Sequence, residues 1–180
     1  AIDPTYGLAV VWIEPQDKTS ALNFGYQIVD CASVVATHVN KVVRDHLPVL
    51  FNYDDITQLH QRLESLSPRL AEDLTTALNF SQLLKVYRQL LTENVSLKDI
   101  VTIATTLLDS ANITKDSLLL TSDVRYALRT GIVNSMNGDD KNLAVYTINN
   151  ELENMLLGSL NQAQQAGKVV LDNFPVDPNI

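Results

Sequence analysis

At 180 residues the chain is long enough for one or two domains with a real core. Its formal net charge of -8, from 13 Lys and Arg against 21 Asp and Glu, argues against a nucleic-acid binder, whose affinity rests mainly on cationic contacts to phosphate. Cys31 is the sole cysteine, which excludes an intrachain disulfide, leaves no basis for a thiolate zinc site and fits a reducing compartment best.

No apolar run approaches the roughly 20 residues needed to span a bilayer, and no signal peptide is visible. The first elements predicted are two strands, "GLAVVWI" (7–13) and "YQIVD" (26–30), both rich in β-branched and aromatic residues. Between them "EPQDKTSALNFG" predicts a short helix or turn closed by Gly25. Two strands alone are marginal. This segment therefore reads as the end of an α/β unit that begins elsewhere.

From Asp30 the period becomes helical. Asp30 suits the N-cap of "CASVVATHVNKVVRDHL", with Val35, Val39, Val42 and Val43 as its apolar stripe and Pro48 ending or kinking it. "DITQLHQRLESL" follows, with Ile56, Leu59, Leu63 and Leu66 on one face. A short helix is predicted to begin near Pro68, which fits a first-turn position.

A helical pair comes next. Its first member buries Leu83, Leu84, Tyr87, Leu90 and Leu91; its second opens with a box-like Ser96 and Asp99 and buries Ile100, Ile103, Ala104 and Leu107. A long helix is predicted from about Asp116 to Met136, with Leu120, Val124, Leu128 and Ile132 four apart. "NGDD" (137–140) then signals a turn. "LAVYTI" (143–148) predicts a strand. Asn150 predicts a cap for a last helix with Leu152, Leu156 and Leu160 inward, and 169–180 reads as loosely held. The expected fold is α+β but mainly α. A central helical bundle (51–137) is flanked by incomplete α/β subdomains, the end of one at 1–50 and the start of another at 138–180.

Signals for chemistry are sparse. There is no Gly-rich phosphate loop, no metal-ligand spacing and no nucleophile elbow, so no cofactor, metal or catalytic residue is expected. His38, His46 and His60 read as packing or partly exposed side chains. An acid–base pair of His38 with Asp30 or Asp45 would lack a nucleophile. Asp54 and Asp55 could suggest a cation site but read better as a helix cap and a dipole-matched first turn. Asn79, Asn94 and Asn112 begin Asn-x-Ser/Thr triplets, which matter only in secreted chains. The pair over 80–111 has the outline of a helix-turn-helix, so a helical transcription regulator is the alternative reading. Its second helix offers mainly Lys98, Thr102, Thr105 and Thr106 to a groove, a poor set for reading bases.

The stretches "DPTYGLAVVWI", "GYQIVDCASVVATHVNKVVRDHLPVLF", "LLKVYRQLLTENVSLKDIVTIATTLL" and "DVRYALRTGI" together resemble the cytoplasmic region of the type III export-gate family, which comprises flagellar FlhA and its virulence-secretion relatives. The Asp-Pro-x-aromatic-Gly-Leu block and the later Ala-Thr-His block carry the resemblance at matching spacing. It weakens after about residue 138. Tyr6 stands where the family pattern has Phe.

The resemblance implies a non-enzymatic docking platform. It would receive export chaperone–substrate complexes, meet other export-apparatus components and pass cargo to the membrane gate. The chain would be an interior slice of a longer protein, held at the cytoplasmic side of the bacterial inner membrane by helices preceding Ala1. The helical block, from about Asn52 to Met136, would make subunit contacts in a ring of nine copies. By matching positions, Asp3, Tyr6 and Thr37 would belong to a shallow apolar chaperone-binding dimple, with Leu8, Val29 and Val34 as lining. The blander alternative is that Tyr6 packs over Trp12 and Thr37 is an ordinary helix residue.

Overall fold

A computed structural model describes residues 1–138, 140 and 142–165. The chain is mainly α. After a 3-10 turn at Pro15–Asp17 come α1 (Lys18–Asn23), α2 (Cys31–Asp45), α3 (Leu47–Leu50), α4 (Tyr53–Leu66), α5 (Pro68–Ala77), α6 (Phe80–Thr92), α7 (Ile100–Ala111), α8 (Ser117–Ala127), α9 (Arg129–Asn137) and α10 (Asn150–Gln165).

Local chemistry sets most helix starts, because the first N–H groups of a helix need acceptors from outside it. Asn52 and Asn79 form reciprocal capping boxes. Asn52 Oδ1 accepts from Asp54 N–H at 2.7 Å while Asp55 accepts from Asn52 N–H at 2.8 Å. Asn79 Oδ1 accepts from Gln82 N–H at 2.9 Å while Gln82 Oε1 accepts from Asn79 N–H at 3.0 Å. The acids at Asp54 and Asp55 thus serve the first turn of α4. Asp116 caps α8 by accepting from Leu118 and Leu119. Pro68 opens α5, and Pro48 sits in the first turn of α3 after α2 has ended at Asp45.

Among the described residues the buried apolar side chains come from the stretch 51–124, in α4 to α8 and their connections. α7 is central to them. It touches α4, α5 and α8 and buries Ile100, Ile103, Ala104, Leu107, Ser110 and Ala111. α6 contributes Leu83, Val86, Tyr87 and Leu90, and pairs with α8. Tyr87 meets Phe51 edge-to-face at 6.1 Å, and burial pushes its phenol above the usual tyrosine range. Arg88 reaches back across 37 residues, its Nε and Nη2 both donating to the Phe51 carbonyl at 2.9 and 2.8 Å. The end of α6 is a Schellman turn: Val95 N–H bonds to Leu90 O, Asn94 N–H to Leu91 O, and Asn94 adopts φ +58. Val95 and Leu90 are both buried there.

Several expectations are corrected. The strands expected at 7–13, 26–30 and 143–148 do not form among the described residues; the sole pairing is an antiparallel bridge between Ile2 and Ala9. A strand exists only where a neighbour accepts its hydrogen bonds, and here none is aligned. Val11, Trp12 and Tyr146 stand in solvent instead. The valine stripe of α2 is likewise exposed, because no described element covers it. Leu66 is exposed at the end of α4, whereas Val86, not foreseen, is fully buried.

The long helix expected from Asp116 to Met136 breaks at Leu128, whose ψ of 4° leaves the helical well. Arg129 donates to the Tyr126 carbonyl at 2.9 Å, competing for a helical acceptor, and Thr130 and Gly131 are weak helix formers. α7 is capped by Asp99 alone, through Thr102 N–H at 3.2 Å, so Ser96 lies outside the helix. For α10 the side chain that accepts from the first turn is that of Asn149, not Asn150. Asp139, within the expected turn, and 169–180 lie outside the described residues.

Leu107→Ala should cost about 2–5 kcal/mol, since its fully buried site is walled on all sides by helices. Leu66→Ala should change stability by less than about 0.5 kcal/mol. Urea melts of the two variants check the contrast.

Candidate docking surface

Six side chains were expected to form a docking dimple. Three of them, Asp3, Tyr6 and Leu8, lie on one tight turn. Asp3 Oδ1 accepts from Thr5 N–H at 2.9 Å and Tyr6 N–H at 2.7 Å. Gly7 N–H donates to the Asp3 carbonyl at 2.9 Å, and Asp3 N–H donates to Leu8 O at 2.8 Å. Gly7 sits at φ +68, a conformation costly for a residue with a Cβ. Pro4 fixes its own φ. The Asp-Pro-x-aromatic-Gly pattern is therefore a turn recipe. Its product is a Tyr6 ring held out to solvent, 70% exposed. Asp3 is half-buried, with Oδ1 committed to the turn and Oδ2 taking neither of those bonds.

The other three flank the start of α2. Asp30 caps that helix by accepting from both the backbone N–H and the hydroxyl of Ser33, each at 2.8 Å. These bonds hold its carboxyl below its usual pKa. Val29 precedes the cap and is exposed. Val34 is half-buried, and Thr37, one turn on, is exposed with its hydroxyl donating to Ser33 O at 2.7 Å. Spacing of three puts Val34 and Thr37 on one face. Among the described residues no hydrogen bond joins 1–13 to α2. Hydrogen bonds therefore tie the first three to their own turn and Thr37 to α2.

Around them lies more apolar surface than was foreseen. Trp12, Phe24 and Tyr26 are each more than two-thirds exposed, and Val35 and Val39 continue the bare face along α2. Trp12 and Tyr26 lie in the runs expected to be strands. The signal that they would be bare was the count of elements: no complete layer was available in the sequence to cover them.

The other chemistries weighed find little support in the geometry. Asp30 is occupied by Ser33, and Asp45 by Lys41 at 2.6 Å, which lowers its pKa. The half-buried His38 has no partner at Nδ1, so it is paired with neither acid. Among the described residues no group of three His, Cys, Asp or Glu is placed to hold a metal ion. The outer face of α7 shows Val101, Thr105 and Asp109, and Thr105 and Thr106 bond back to their own helix. That face offers no cation to a phosphate. Among the described residues no helix is long and apolar enough to cross a membrane.

The chain matches the FHIPEP family over residues 1–177. It is 65% identical over 178 residues to the flagellar export/assembly protein LfhA of Escherichia coli O44:H18, covering 99% of this chain but only 25% of that relative's length. In three dimensions it resembles a chain from the complex of Chlamydia pneumoniae CdsV and CdsO, with a TM-score of 0.73 and 19% identity over 93% of this chain and 53% of the other. It also resembles nonameric EPEC SctV-C, with a TM-score of 0.55 and 20% identity over 82% of this chain and 53% of that one. At those identities the two structures speak for the fold.

Asp30→Ala should lower the helix content of α2, since the two bonds its carboxylate accepts from Ser33 at the first turn go with the cap. A carboxyl with a depressed folded-state pKa contributes stability above its unfolded value, near 3.8, and loses it as pH falls through the lowered one. Far-ultraviolet circular dichroism should therefore separate parent and variant at neutral pH and show them converging in strong acid.

Proposed function

Because the chain belongs to the FHIPEP family, we propose that it forms part of the docking platform of a type III protein export apparatus. Its role is to bind export chaperone–substrate complexes, which then yield cargo to the membrane gate. It works by binding, without catalysis or a cofactor. The intact protein is held at the cytoplasmic side of the bacterial inner membrane by a region N-terminal to this chain, for which the fourfold greater length of LfhA leaves room. The high identity to a protein named for flagellar export favours flagellar assembly over virulence secretion.

The observation that carries this reading is Tyr6. A turn braced by Asp3 and Gly7 presents its ring to solvent, at low entropic cost to a partner that buries it. Interface anchors are typically aromatic side chains of this kind. Leu8, Val29 and Val34 supply apolar surface beside it, Thr37 a small wall for close packing, and Asp3 Oδ2 an acceptor for a charge-assisted hydrogen bond. An amphipathic chaperone helix is a suitable occupant.

The chain divides, on this proposal, into a docking part at 1–50, a helical part at 51–137 and the start of a last part at 138–180. The flanking parts complete α/β layers with chain beyond this segment, which would cover Trp12 and the α2 valines. The helical part makes the self-contacts of a ring of nine. Leu119, Tyr126, Val133 and Met136, exposed along α8 and α9, are available for them.

Tyr6→Ala and Thr37→Met should each weaken binding of a cognate chaperone–substrate complex by tenfold or more, about 1.4 kcal/mol, with thermal stability unchanged. Calorimetric titration measures this. Wild-type affinity in both variants would remove the two residues from the site.

A further inference from the structure

A concave surface is lined by none of the six residues just described. It is an open groove of about 440 Å³ between the α2–α3 junction, α4 and the Schellman turn after α6. Its apolar lining includes Leu47, Phe51, Leu59, Leu91, Val95 and Leu97. The Schellman geometry puts Val95 into this wall: the φ of +58 at Asn94 turns the chain back over the end of α6. Arg88 steadies the opposite side by holding the Phe51 carbonyl.

The charges around the groove are one-sided. Arg44, Arg62 and Lys98 line it, and no Asp or Glu does. All three are exposed, and none forms an ion pair among the described residues, although Lys41, Arg69 and Arg125 each do. In a chain of net charge -8 this is an unusual concentration of unpaired cations. Cations left unpaired over an apolar floor are matched by a ligand with apolar anchors and acidic flanks. The Arg guanidinium favours carboxylates in particular, since its fork can hold both oxygens.

We propose that this groove is a docking site for an acidic amphipathic segment of a partner protein, independent of the Tyr6 surface. Two or three apolar side chains on one helical face fill the groove, and Asp or Glu residues beside them pair with Arg44, Arg62 and Lys98. The net charge of -8 disfavours such a segment at long range, so its attraction depends on the cations beside the groove.

The test uses a fluorescein-labelled helical peptide of about 15 residues, with Leu along one face and Glu on the rest, and a second peptide with Gln in place of Glu. Fluorescence anisotropy should show saturable binding of the Glu peptide that weakens as salt is raised. Arg62→Glu and Lys98→Glu should each reduce affinity at least tenfold. Both side chains are exposed, and unchanged thermal melting confirms folding. Lys85→Glu, at an exposed cation outside the groove, should bind as the parent does, as should Tyr6→Ala. Equal binding of the Gln peptide, or loss of affinity in Lys85→Glu as large as in Arg62→Glu, would overturn the proposal. So would co-sedimentation with anionic vesicles that depends on Arg62 in the absence of peptide binding. A dimer in ultracentrifugation that Arg62→Glu dissolves would assign the groove to a second copy and overturn it equally.

Discussion

The helical part of this protein is organised around the burial of α7. That helix is apolar on most of its circumference, and its Ile103, Ala104 and Leu107 have no exposure at all. A helix of this kind is unstable in water and stable only inside a cage. α4, α5 and α8 provide the cage, and α6 closes it through α8 and α4. The small Ala104 and Ala111 allow close approach, while the threonines on the outer turns take back-bonds to the helix itself. Caps at Asn52, Asn79 and Asp116 set where α4, α6 and α8 begin, and Asp99 does the same for α7 itself.

Only part of this was legible in the sequence. Helices with a strong period of 3.6 and a polar start declare themselves, so Ile56, Leu63, Leu83, Tyr87, Leu90 and, on α7, Ile100, Ile103, Ala104 and Leu107 read correctly as interior, though the buried Ser110 and Ala111 do not. Pattern alone did not show where an apolar face goes without a partner. The valines of α2 have the spacing of a core stripe, yet they are bare, because periodicity specifies a face and not what lies against it. The same logic explains the missing strands. Residue type gave 7–13 and 26–30 their extended character, but a ladder needs a second chain in register. The break at Leu128 was also hidden, since apolar residues four apart continue through it while Arg129 diverts the Tyr126 carbonyl.

The family motif divides in a similar way. Asp3, Pro4 and Gly7 build the turn and are explained by backbone chemistry within the chain. Tyr6 is different: nothing in the turn needs an aromatic ring at that position. On the proposed function, this is the side chain that a partner would bury, held outward by neighbours that the backbone turn requires. Asn94 shows the reverse case. Its triplet has the form of a modification signal, yet its place in the sequence follows from the left-handed turn it makes after α6.

The bond from Arg88 to the Phe51 carbonyl has a mechanical consequence. It fastens the foot of the α2–α3 arm to the middle of the caged bundle, through two parallel charge-assisted contacts on a single oxygen. A lever pinned at its base transmits torque. A displacement of α3 is therefore passed to α6, one turn before the C-terminal end that shapes the basic groove.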